Sequence, residues 1–213
     1  YLVITGWTLA YVLFSISGTE PQFSEFISSY LPILFFIIAA VLSGLVVSLG
    51  VKGGIEKIVT AVIPLSFIIL ITLAIYATTL DGFNAGVDFL FTPDLSVLSR
   101  ADLWSAAFGQ AFFSLSVGYG ILITYGGYLE RNVSIPRSSM IITFADLSVA
   151  ILAGLVIFPI AFTVGLEPSL GAELAFVTLP IAFDSIPSGN ILAIAFFTLL
   201  FFAALTSAMS MLE

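Results

Sequence analysis

Six long apolar stretches, separated by polar loops, run through this chain of 213 residues. In a helix, about 20 apolar residues cross the roughly 30 Å hydrocarbon core of a bilayer. A backbone in lipid must satisfy its own hydrogen bonds, and the sequence lacks the alternating pattern of barrel strands. The stretches therefore predict six membrane-spanning helices, at 1–17, 31–49, 56–79, 102–129, 138–165 and 190–212. Tyr1 opens an apolar run without a charged leader, so we expect the first span to be truncated rather than a signal peptide.

Composition agrees with lipid as the surrounding solvent and excludes several classes of function. Hydrophobic residues make up 60% of the chain and charged residues only 8%, whereas soluble domains carry about 25% charged residues. Mean hydropathy is +1.22. The sequence has no Cys and no His, which excludes disulfides and thiolate metal sites and removes the commonest general base. A net charge of −8 excludes a nucleic-acid binder, because nothing would offset the phosphate repulsion.

Charges in the loops predict how the chain is oriented in the membrane. Lys52 and Lys57 flank the second loop, and Arg131 and Arg137 flank the fourth. The first, third and fifth loops are acidic, with one arginine as the exception. Cytoplasmic loops carry the excess of basic residues. The second and fourth loops are therefore predicted to face the cytoplasm, and the chain is predicted to end at Glu213 on that side.

The fifth loop, 166–188, contains apolar patches that are unusual in a connector. This pattern predicts a short helix lying over the outer side of the bundle. Such a helix is either a lid on an outer vestibule or an interfacial helix without a gating role.

Small and polar residues interrupt the fourth span, where residues 109–120 read GQAFFSLSVGYG. Glycine adds backbone freedom and serine competes for backbone hydrogen bonds, so a helix is weakened there. Non-helical backbone survives at bilayer depth only where it is buried or lines a cavity. A broken helix of this kind exposes carbonyls and amides that can coordinate a cation and an anionic substrate group. The alternative is a small-residue face that packs against another helix.

Three further features lie inside the predicted spans. Asp146 is a carboxylate at a depth that usually marks an ion or proton path, although a neutral, hydrogen-bonded carboxyl is the alternative. Thr206 and Ser207 offer two adjacent hydroxyls to a hard cation, or they simply bond back to their own helix. Gly54 and Pro64 frame a stretch of the third span that either unwinds as a hinge or holds a static kink.

Six short motifs are spread along the chain: GWTL at 6–9, KGGIEK at 52–57, FTPD at 91–94, GQAFFSLS at 109–116, FVTLP at 176–180 and FFAALTS at 201–207. Together they resemble the neurotransmitter:sodium symporter family, including its bacterial members, along the whole chain. Spacing and loop lengths agree as well, with the six spans matching the family's third to eighth helices. The resemblance implies a partial inverted-repeat bundle of the leucine-transporter type, all α-helical, with a broken helix near 114–120.

The resemblance also implies a role for individual positions. Substrate would contact a set of pocket residues, namely Tyr1, Ile4, Phe113, Ser116, Tyr119, Ser207 and Met211. Sodium would be held at two sites, each completed by helices outside this chain. The first site would use Ser114 and Asp146, and the second Ala203, Thr206 and Ser207. Gating is implied for Gln110, Tyr128, Gly54 and Pro64.

One position departs from the pattern of many members, because Asp146 stands where they carry asparagine. Chloride-dependent members place a serine one helical turn later, where this chain has Ala150. We hypothesise that Asp146 supplies the negative charge in place of bound chloride, so that chloride is not required.

The sequence as a whole predicts a single transporter-domain fragment in a prokaryotic cytoplasmic membrane. Its expected partners are the lipid bilayer, an amino-acid substrate and the remainder of the same transporter. The predicted function is Na⁺-coupled symport of an amino acid, favouring an apolar one, by alternating access. The alternative is a same-fold transporter that is coupled to protons or carries an osmolyte. An enzyme is not expected, because an intramembrane aspartyl protease needs two facing carboxylates and Asp146 is the only acid well inside a predicted span.

Overall fold

Helices dominate the architecture in the computed structural model, which describes residues 1–130, 132–168 and 171–213. No strand occurs among these residues. Arg131, one of the residues used to predict orientation, lies outside them. The α-helices are α1 (Leu2–Ser17), α2 (Phe23–Ser28), α3 (Leu31–Ser48), α4 (Glu56–Ala77), α5 (Phe83–Phe91), α6 (Ala101–Ser114), α7 (Ile121–Gly127), α8 (Ile135–Thr163), α9 (Leu179–Ser185) and α10 (Gly189–Leu212). A π-helical turn precedes α4 at Val51–Ile55 and another precedes α9 at Leu174–Thr178, while a 3-10 turn spans Leu95–Ser99.

Four of these helical segments are long and apolar enough to cross a membrane: Leu31–Ser48, Val51–Ala77, Ile135–Thr163 and Gly189–Leu212. The predicted first span is the shorter apolar helix α1, and the predicted fourth span divides into α6 and α7. The structure also forms α2 and α5 within predicted loops. A search for stretches of about 20 apolar residues, the length that spans a bilayer, does not find helices this short.

The bundle is organised by packing between helices distant in sequence. Helix α1 packs against α3 and α10, α4 against α8 and α10, and α5 against α8. Helix α5 docks through Phe89, whose ring lies 4.8 Å from that of Phe158 and 5.5 Å from that of Phe162. These contacts place the long helices around one core, with α10 at its centre.

An aromatic cluster holds the segment 174–185, which we call the lid segment, against α1 and α10. Its Phe176 is 3% exposed. The Phe176 ring lies within 5.1–6.1 Å, between centroids, of the rings of Trp7, Tyr11, Phe23 and Phe197. The Tyr11 hydroxyl also donates to the Phe176 carbonyl at 3.4 Å. The short helix expected in the fifth loop is therefore present, and it belongs to the packed core.

The break between α6 and α7 has a backbone cause. Ser116, Gly118 and Gly120 all have positive φ, at 55°, 96° and 84°. Three left-handed residues within five positions are incompatible with a right-handed helix, and the serine pays a steric cost that glycine avoids. The chain therefore leaves helical geometry after Ser114 and resumes it at Ile121. The predicted broken helix is confirmed.

Gly54 is the point of closest approach between the start of α4 and the end of α3. A Cβ atom at this position would lie 2.1 Å from the Val46 carbonyl oxygen. Only a residue without a side chain fits there. Gly54 sits in the π-helical turn and Pro64 inside α4, so in this conformation the segment between them is helical throughout.

Candidate functional site

A cavity of about 330 Å³ lies beside the break, where α1, α4, α6, α7, α8 and α10 meet. Its walls combine apolar side chains with a few convergent polar groups, the usual character of a small-molecule site. Several residues predicted for substrate or sodium line it: Tyr1, Ser114, Ser116, Asp146, Thr206, Ser207 and Met211. Residues far apart in the sequence are thus brought to one place.

Ser114 and Asp146 are in direct contact across the cavity. The Ser114 hydroxyl oxygen lies 2.7 and 2.8 Å from the two carboxylate oxygens of Asp146, to which it donates. Ser114 is the last residue of α6 and Asp146 lies in α8, so the contact forms where the helix breaks. No Lys or Arg is among the described residues that line this cavity. The Asp146 carboxyl group therefore faces a cavity with a few hydroxyl groups and no basic side chain in its described lining.

Three aromatic rings lie side by side near this cavity, and of the three Tyr1 is in its lining. The Tyr1 and Phe113 rings are stacked with centroids 6.0 Å apart, and Phe113 meets Tyr119 edge-on at 6.5 Å. Phe113 lies in the last turn of α6, whereas Tyr119 lies in the broken segment that follows. The arrangement brings the three predicted aromatic pocket residues together.

One turn of α10, residues 203–207, brings further oxygen atoms to the cavity. The Thr206 hydroxyl donates to the Ala203 carbonyl with 3.0 Å between the oxygens. Thr206 therefore bonds back to its own helix, and this brings together two of the oxygens predicted for the second sodium site. Ser207 follows Thr206 on the cavity wall, while the Ala203 side chain lines an adjacent apolar cavity of about 280 Å³ instead. A role for Ala203 would use its carbonyl rather than its methyl group.

The remaining predicted residues lie around the cavity rather than in its lining. Ile4 is one turn beyond Tyr1 in α1, and Gln110 one turn before Ser114 in α6. Tyr128 follows α7, and its hydroxyl donates to the Glu213 carboxylate at 2.7 Å. That bond joins the C-terminal end of α7, the second half of the broken helix, to the C-terminal end of α10.

Two polar residues of the cavity lining escaped the sequence reasoning. The Tyr125 hydroxyl donates to the Ser210 hydroxyl oxygen at 3.0 Å, joining α7 to α10. Both residues line the cavity. Ser210 lies four positions after Thr206 and hence on the same helical face, which is a signal that could have found it. Nothing in the local sequence marks Tyr125.

A larger cavity, of about 680 Å³, lies on the predicted outer side between the loop after α1 and the lid segment. Glu20 and Asp184 both line it. Burial raises the pKa of the Glu20 carboxyl, the Ser15 hydroxyl that donates to it lowers that pKa, and the charge of Asp184 raises it again. The net direction of the Glu20 pKa is upward, with burial as the largest cause.

Comparison with known proteins gives matches over the whole chain. The model of the sodium:neurotransmitter symporter family matches residues 27–213. The uncharacterized sodium-dependent transporter YhdH of Bacillus subtilis is 37% identical, over all of this chain and 49% of its own length. An uncharacterized sodium-dependent transporter of Haemophilus influenzae is 36% identical, over all of this chain and 50% of its own length. The crystal structure of MhsT in complex with L-phenylalanine superposes with a TM-score of 0.89 at 43% identity, covering all of this chain and 51% of MhsT.

The chain thus spans about half the length of the curated relatives it matches. The match to MhsT and the helical architecture confirm the predicted fold. The family match and the four long apolar helices confirm an integral membrane protein. Since the family model covers most of its length, the chain belongs to the sodium:neurotransmitter symporter family.

Proposed function

We propose that the protein containing this chain is a Na⁺-coupled symporter that carries an amino acid, with preference for an apolar side chain, into the cell by alternating access. Relatives in two bacteria are named as sodium-dependent transporters, and MhsT binds L-phenylalanine in its crystal structure. The identity to MhsT is 43% along this chain, which supports carrying the substrate class over.

The observation that carries the proposal is the contact between Ser114 and Asp146. A carboxylate inside a membrane protein is costly unless a positive charge compensates it. The described lining of the cavity contains no basic side chain, so a bound sodium ion would supply the compensating charge. Ser114 and Asp146 would hold one sodium ion, while the Ala203 carbonyl, Thr206 and Ser207 would hold a second.

The aromatic rings beside these polar groups would define the substrate pocket. The Tyr1 hydroxyl would bind the substrate carboxylate, and Ser116 would contribute at the break. Phe113, Tyr119 and Met211 would enclose an apolar side chain, with Ile4 extending the wall. Substrate and sodium would then share one compartment, so that each favours binding of the other.

Transport would follow from the preference of both ligands for a closed state. A ligand shifts a conformational equilibrium only by its differential affinity for the two states. On the inner side, the bond from Tyr128 to Glu213 would be one that opens when the ligands leave. On the outer side, Gln110 would be part of the gate that closes over the bound substrate. The segment from Gly54 to Pro64 would loosen during inward release.

The experiment is a binding measurement on the purified full-length protein, with a panel of amino acids and with Na⁺ or choline as the cation. We expect sodium-dependent binding of apolar amino acids, and loss of that dependence in Asp146→Ala. A wild-type protein that binds amino acids equally well without sodium would overturn the proposal. Sodium-independent binding that instead follows pH would favour a proton-coupled transporter.

A further inference from the structure

A directed series of hydroxyl groups connects the half-helix α7 to the turn of α10 that carries the proposed second sodium site. Tyr125 donates to Ser210 at 3.0 Å, and Ser210 donates to the Thr206 carbonyl at 3.1 Å. Each hydroxyl has one hydrogen, so both donors are committed in the same direction. Consecutive hydrogen bonds of this kind polarise and strengthen one another.

The series ends on the backbone carbonyl of Thr206, a residue of the proposed second sodium site. Thr206 places its hydroxyl 3.0 Å from the Ala203 carbonyl oxygen, and Ser207 follows it on the cavity wall. The series begins at Tyr125, which lies in α7. Helix α7 directly follows the break that separates it from Ser114, the last residue of α6. Movement of α7 is therefore linked through two bonds to the geometry of the turn.

Helix α7 needs such tertiary bonds. It has seven residues and is flanked by the non-helical segment of the break. A helix of two turns next to a break has no continuous helix to fix its direction, so its position must be set by what it docks against. Two hydroxyl bonds dock it on α10: Tyr125 to Ser210 in the cavity, and Tyr128 to Glu213 at the end. Of the two, the Tyr125 bond leads to the sodium-ligating turn.

We propose that Tyr125 is a positioning residue that couples sodium occupancy of the turn at Thr206 and Ser207 to docking of α7 on α10. This inference rests on the proposed function. An ion at the turn orders Thr206 and hence Ser210, which presents its lone pair to Tyr125. Docked α7 in return holds Ser210 and the turn in the ion-competent geometry. Coupling of this kind is reciprocal, so loss of the bond weakens sodium binding and inner closure together.

The test uses the full-length protein and compares Tyr125→Phe, Ser210→Ala and the double variant with the parent. The readout is the sodium concentration that gives half-maximal substrate binding. We expect either single variant to raise it about fivefold, the value of one net hydrogen bond. The double variant should shift it no further than the larger single effect, because both changes remove the same bond.

Tyr76→Phe is the control, because it also removes one phenol hydrogen bond between segments distant in sequence. The Tyr76 hydroxyl donates to the Pro187 carbonyl at 2.8 Å, at the far end of α4 from the proposed sodium sites. This variant should change half-saturation by less than about twofold. An equal shift in Tyr76→Phe, no shift in Tyr125→Phe, or additive shifts in the double variant would each overturn the role of Tyr125.

Failure of the proposed function gives a different result, since the parent itself would then bind substrate without sodium. If Tyr125→Phe does not fold, Ser210→Ala removes the same bond from the other side and decides alone. Sodium-induced thermal stabilisation provides a second readout. Its size should fall in both cavity variants and stay at the parental value in Tyr76→Phe.

Discussion

Replacing Gly54 with alanine should force the start of α4 away from the end of α3. The added Cβ would lie 2.1 Å from the Val46 carbonyl oxygen and 3.1 Å from the Leu49 Cβ. Cβ atoms do not come within 3.0 Å of such neighbours, so the two segments must separate by at least the 0.9 Å between 2.1 and 3.0 Å. The obstacle is backbone, which cannot rotate away as a side chain would. Overpacking of this kind costs about 1–3 kcal/mol.

The neighbouring Gly53 supplies the control, because a Cβ there would meet no atom within 4 Å. Gly53→Ala should therefore change stability by less than about 0.5 kcal/mol. Both variants would be measured by reversible unfolding in mixed detergent–SDS micelles. The difference between them isolates the steric contact with Val46 from the effect of removing a flexible residue.

Limited trypsin digestion gives a local readout of the same displacement. Lys52 and Lys57 bracket Gly54 at the predicted cytoplasmic side. If the segment is pushed out of its packing, cleavage after these lysines should accelerate in Gly54→Ala and remain at the parental rate in Gly53→Ala. Equal stability and equal cleavage in the two variants would refute the close approach and the reasoning built on it.

Three other perturbations follow from the site and the lid segment. Uptake by the parent should be undiminished in chloride-free gluconate, whereas Asp146→Asn should become chloride-dependent or inactive; a chloride requirement in the parent would contradict the charge-substitution hypothesis. Phe176→Ala should lose about 3–5 kcal/mol of stability in reversible unfolding, and Phe176→Leu clearly less, because leucine fills part of the space among the surrounding rings. Raising pH should destabilise the junction at Glu20, since a carboxyl whose pKa is raised above the ordinary 4.5 holds its proton in the fold and releases it as pH rises through the raised pKa. The stability of Glu20→Gln should consequently depend less on pH over that range, and an unchanged pH profile would contradict a raised pKa of Glu20.

How far the sequence predicts this molecule depends on whether the determinant is local. The break after Ser114 was predictable because positive φ at Gly118 and Gly120 reflects a freedom that glycine carries with it anywhere. The long apolar helices were predictable because bilayer thickness fixes their length. Helix α5 was missed because its nine residues are fewer than a membrane span needs, and it packs on α8, a helix distant in sequence.

Contacts between residues that are distant in the sequence could not be predicted from local pattern. Ser114 and Asp146 are 32 positions apart, and their pairing could be expected only through the family resemblance. Tyr125 and Ser210, 85 positions apart, had no such guide and were not anticipated. Periodicity assigns a residue to a helical face, but it does not say which face of which helix will lie opposite. That information is set by the packing of the whole bundle.

The aromatic surroundings of Phe176 have a consequence for motion on slow timescales. Connecting segments usually open on their own, with free energies near zero, and exchange their amide hydrogens quickly. The lid segment cannot do so, because freeing Phe176 would expose the rings of Trp7, Tyr11, Phe23 and Phe197 at once. Its amides should therefore exchange at the rates of α1 and α10, as one cooperative unit. By that measure a stretch that reads as a loop belongs among the most slowly opening parts of the protein.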